Sequence, residues 1–147
     1  MRLPAPVVAV FAALMLAGCQ TFAPAYDNTL DTQMTTAFQG VAKLSAEIEL
    51  GSYADKATYD GATGEYTTII SSLTVAALRA DTLPVQAKAP AERARTLLVG
   101  LIKGCQTQVT TVAAIHKATG LAPGAGISAP MLTSCDQAAR AAQALKP

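Results

Sequence analysis

Three kinds of side chain in this sequence could carry chemistry. Cysteines stand at positions 19, 105 and 135, the sole histidine is His116, and carboxylates and phenols gather between Glu47 and Tyr66. Thiols can take a lipid, bond to one another or ligate a metal as thiolates. An imidazole titrates near neutral pH and can serve as acid or base. His116 lies in what reads as the last turn of a helix, where the helix dipole favours a cation, and that role is preferred to acid–base work. Glu47 and Glu49 are two apart and so face different sides of a helix. Asp55, Asp60 and Glu65 recur near Tyr53, Tyr59 and Tyr66. They could line a polar binding face, and a solvated helix surface is the preferred reading. No HExxH, GxSxG, P-loop or paired-Cys zinc pattern occurs, and the glycines at 124 and 126 lack the dinucleotide-binding spacing. These residues therefore predict no catalytic residue, no metal site and no cofactor.

Cys19 has a distinct setting. Arg2 is followed by an unbroken apolar run from Val7 to Leu16, which small residues close. That is the three-part plan of a secretory signal peptide. The run is too short to span ~30 Å of hydrocarbon, which takes about 20 apolar residues. Its end, Leu16-Ala17-Gly18-Cys19, resembles the lipobox of bacterial lipoproteins at all four positions. The resemblance implies diacylglycerol on the Cys19 thiol, cleavage before Cys19 and acylation of the new N-terminus. One acyl chain holds a protein marginally, at ~0.8 kcal/mol per buried CH₂, whereas two or three hold it stably. In enterobacterial lipoproteins an Asp after the Cys favours the inner membrane. Gln20 stands there instead, which points to the outer membrane, facing the periplasm. The expected organisation is a signal peptide over 1–18, a lipidated N-terminus and tether over 19–26, and one domain over 27–147.

Cys105 and Cys135 then fall outside the cytoplasm, where disulfides persist. Both lie on apolar stripes of consecutive helices. A bridge between them closes a loop of about 30 residues, worth ~3.6 kcal/mol in the chain-entropy model. A redox or metal-binding pair is the rival reading. There is no CxxC, and His116 is far along the helix from Cys105.

The elements that must position these residues read as four helices. The first covers about Asp27 to Leu50, with Leu30, Met34, Phe38, Val41, Leu44 and Ile48 on one stripe. Asp27 or Asn28 can cap its start, and Gly51 suits a left-handed C-terminal residue. The second covers about Ala54 to Leu83, with Gly61 and Gly64 marking a kink or a late start. The third runs from Pro90 to about Thr119, and Gly120 ends it. Ser128 is the expected cap of the fourth, which carries Leu132, Cys135, Ala138, Ala139, Ala142 and Leu145 on its stripe. Four amphipathic segments with short connections predict an all-α, antiparallel, up-down-up-down four-helix bundle. The fourth helix is the shortest and leaves one end of the bundle less covered.

The chain has 147 residues and a formal net charge of +1. Arg2 is the only charge before Cys19, so of 11 basic side chains 10 remain beside 10 acidic ones. This balance argues against a nucleic-acid partner and against a polybasic membrane patch. In layout the chain resembles small helical lipoproteins of proteobacteria: a lipobox, then Tyr26-Asp27 near the first helix, then a Tyr-rich second helix ending in Leu78-Arg79. That resemblance implies a membrane partner through the Cys19 lipid, a binding or structural role with a possible envelope protein partner, and no activity. Secretin pilotins of type II secretion are similar in plan, which implies capture of a secretin segment in a groove near the first helix. A periplasmic enzyme is a further alternative and needs a polar cluster in a cleft.

Overall fold

The structure is a computed structural model and describes residues 23–85 and 89–146. Cys19, the expected signal peptide and the first part of the tether lie outside the described residues. Four helices follow one another: α1 (Asn28–Glu49), α2 (Tyr59–Asp81), α3 (Ala89–Thr119) and α4 (Ser128–Gln143). Each helix packs on its sequence neighbours, and α1 packs on α4, so the four close a ring around one core. No strand occurs among the described residues. The all-α bundle expected from the apolar periodicity is the fold.

The stripes explain the ring. Leu30, Met34, Ala37, Val41, Leu44 and Ile48 of α1 are buried, spaced three or four apart. On α2 the inner face is Ala62, Tyr66, Ile69, Leu73, Ala76, Ala77 and Ala80. Alanine at so many inner positions lets backbones approach closely. Gly40 of α1 shows how closely, since a Cβ there would lie 2.7 Å from Cγ1 of Ile69. Phe38, expected on the α1 stripe, sits at its edge and is only partly buried.

Local signals set most boundaries. The Asp27 carboxylate accepts the Leu30 N–H at 2.7 Å and so satisfies a free donor at the start of α1. Gly51 has φ +80°, as a residue leaving a helix in the left-handed region should. The second helix starts late, at Tyr59, because Asp55 first caps a single 3₁₀ turn, Lys56–Thr58. Ser128 does not cap α4. It is the first helical residue, and its hydroxyl donates to Glu49 Oε1 at 2.8 Å. Glu49 Oε2 also accepts the Gly124 N–H at 3.1 Å. A carboxylate from α1 thus stands near the positive end of the α4 dipole in place of a local cap.

Candidate functional site

The unequal helix lengths create the site. Cys105 and Cys135 are bonded, with Cα atoms 4.6 Å apart, and this fixes the register of α3 against α4. Cys105 lies 14 positions before Thr119, while Cys135 lies 7 positions after Ser128. The last seven residues of α3, about 10 Å at 1.5 Å per residue, therefore extend beyond the start of α4. The connection over 50–58 and the first turns of α2 cover this overhang.

His116 projects from the overhang and is fully buried. This burial corrects the expectation of a cation favoured by the helix dipole. Thr58 donates its hydroxyl to the Asp55 carbonyl at 2.6 Å, so its oxygen is left to accept from His116 Nε2–H at 2.8 Å. The other nitrogen, Nδ1, then accepts from the Tyr66 hydroxyl at 3.1 Å. The chain Tyr66, His116, Thr58, Asp55 is complete only when the imidazole is neutral. Tyr rings wall it in, with centroids 5.0 Å (Tyr53), 5.5 Å (Tyr59) and 6.0 Å (Tyr66) from the imidazole. Burial lowers the His116 pKa from its ordinary value and outweighs the opposing effect of the Asp55 carbonyl.

The carboxylates divide as their spacing requires. Glu47 accepts the Tyr53 hydroxyl, and so does Glu65, at 3.1 Å. Lys43 joins them through Glu65 at 3.3 Å. Burial first, and hydrogen bonding to Glu47 next, push the Tyr53 pKa up, so its phenol stays protonated. Burial also raises Tyr66. Asp60 remains exposed. The Tyr and Glu positions expected as a solvated face are therefore partly drawn inward. A further clasp closes this end: the Leu121 N–H donates to the Tyr53 carbonyl at 2.6 Å. Gly120 has φ +81°, and a Cβ on it would collide with the Ala54 carbonyl oxygen.

The opposite end is different. Residues 23–25 run over it, with Pro24 buried and the Ala25 N–H donating to the Pro84 carbonyl at 3.2 Å. Beside them a groove of about 390 Å³ runs between α3 and α4, lined by Ala23, Pro24, Ala94, Leu97, Leu98, Leu101, Ala141, Ala144 and Leu145. Every lining residue is apolar, and Leu97 is 65 % exposed. The trench expected beside the first helix for peptide capture is not where this groove lies.

Among the described residues no three of His, Cys, Asp and Glu gather as a metal site, and no helix is long and apolar enough to cross a membrane. The structure brings Cys105 and Cys135 together and keeps His116 far from both. The histidine clasp escaped the sequence reading, yet a signal was present: His116 continues the buried positions Val109 and Val112 at helical spacing. Comparison with known protein families, curated proteins and solved structures finds no match to this chain.

Proposed function

We propose that this chain is a lipid-anchored helical protein of the bacterial envelope, held at the outer membrane by acyl chains on Cys19 and facing the periplasm. Its bundle acts by binding or as a structural element, not by catalysis. The observation that carries this reading is Leu16-Ala17-Gly18-Cys19 at the end of the apolar run. The bonded pair Cys105–Cys135 supports it, because such bonds persist outside the cytoplasm. The non-catalytic role is supported by His116, whose two ring nitrogens are both engaged and shielded from solvent. A pilotin-like role, with a secretin segment held in a trench beside α1, is the alternative reading.

Intact mass spectrometry of the protein purified from membranes tests the reading, with and without reduction before alkylation. The expected result is two or three fatty acyl chains on Cys19, with Cys105 and Cys135 alkylated only after reduction. An unlipidated chain would overturn the anchor. Thiols alkylated without reductant would overturn the oxidising location and reopen redox or metal chemistry at the pair.

A further inference from the structure

We infer that the end of the bundle bearing the α3/α4 groove docks on the bilayer that receives the Cys19 lipid, with Leu97 at the boundary between headgroups and acyl chains. This rests on the lipid-anchor reading and adds to it an oriented membrane contact. Exposed apolar side chains held at a bilayer surface can enter the boundary between headgroups and acyl chains. Here Leu97 stands out of a lining made wholly of apolar side chains, with Leu101 and Leu145 partly buried beside it.

The choice of occupant comes from where the chain enters. Pro24 is buried and Ala25 is bonded to Pro84, so the chain is fixed to this end from Ala23 onward. Only residues 20–22 separate Ala23 from Cys19. Four steps along the chain reach at most ~14 Å. A lipidated Cys19 therefore holds the groove end at the membrane surface. The His116 clasp stands at the far end of α1, whose 22 residues span about 33 Å at 1.5 Å per residue. A tether this short gives an effective concentration in the millimolar range, so a contact too weak to bind membranes alone is populated. Two cations at this end are paired, Lys146 with Asp31 at 2.9 Å and Arg95 with Glu92 at 3.7 Å, while Arg93 stands exposed one turn before Leu97 and can meet anionic headgroups.

The chain contains no Trp, so a single introduced Trp reports cleanly. Leu97→Trp and Leu50→Trp both replace exposed side chains, Leu50 being 82 % exposed at the opposite end. Each full-length variant is purified from membranes, checked by intact mass and reconstituted into phosphatidylethanolamine/phosphatidylglycerol vesicles. Half of the samples carry lipids brominated near the top of the acyl chain. Lipidated Leu97→Trp is expected to shift to the blue and be quenched by bromine, while Leu50→Trp stays water-like and unquenched. Equal, water-like emission from both variants, with the acyl mass present, would overturn the docking and leave the anchor standing. Blue-shifted, unquenched, concentration-dependent emission from Leu97→Trp would mean a second copy covers the groove, which also overturns it. A chain without the acyl mass would remove anchor and docking together.

Discussion

The environment of His116 converts a titratable side chain into a structural one. Its pKa is lowered in the fold, so the unfolded chain binds more protons than the native state at mildly acid pH. The stability it contributes is whole above the unfolded value of about 6.5 and is lost as pH falls through that value toward the lower folded one. The groups facing it are Tyr53, Tyr59, Tyr66, Thr58 and the Asp55 carbonyl, none of which offers a carboxylate to hold the imidazolium. Urea unfolding at pH 7.5 and 5.5 should therefore give a lower midpoint in acid, and His116→Gln should flatten that difference. Were the difference unchanged in the variant, another group would be responsible. Tyr66→Phe removes the donor to Nδ1 and should cost about 1–3 kcal/mol by the same assay. Gly120→Ala combines a left-handed backbone with a collision at Ala54, so its cost should exceed the ~1–2 kcal/mol of the backbone penalty alone.

Glycine at helix interiors separates packing from propensity. Gly64 of α2 and Gly100 of α3 have open space where a Cβ would go. Replacing either with Ala should stabilise by ~0.5–1 kcal/mol. Gly40→Ala has the same propensity gain but meets the stiff Cγ1 of Ile69, and thermal unfolding should show a net loss. The α3–α4 pair depends on its bridge. Cys105→Ala with Cys135→Ala should cost ~3.6 kcal/mol for a separation of 30 residues if the chain-entropy model holds, read as a lowered denaturation midpoint. The elements themselves were legible in the sequence because each stripe is local: Leu30 to Ile48 repeats every three or four residues between Asp27 and Gly51, and Gly120 marks the end of α3. The late start of α2 was legible only as a choice, since Gly61 and Gly64 marked the region but the 3₁₀ turn capped by Asp55 decided it. The burial of His116 was legible only in part: its spacing from Val109 and Val112 marked the face, but the side chains that cover it, Tyr53, Thr58, Tyr59 and Tyr66, come from segments remote in sequence. Ser128 was misread for a similar reason, as its partner Glu49 is remote in sequence.

At the scale of the whole molecule the two ends have different chemistry. One is closed by hydrogen bonds around a neutral imidazole, and the other carries an apolar groove and is crossed by residues 23–25. Acid should therefore loosen one end first. Corrected for intrinsic rates, amide exchange at Gly120 and Leu121 should accelerate between pH 7.5 and 5.5 while Ala25 changes little, and parallel acceleration at both ends would instead indicate global unfolding. The bond from Leu121 to the Tyr53 carbonyl has a consequence for inheritance. It joins the connection after α1 to the connection after α3, and the Gly120 α-carbon fits against Ala54 with no room for a side chain. Neither connection can lengthen or change course in descent without the other. In diverging copies of this gene, insertions should collect around Pro123 to Gly126, and the segments at 53–55 and 120–121 should change together or not at all.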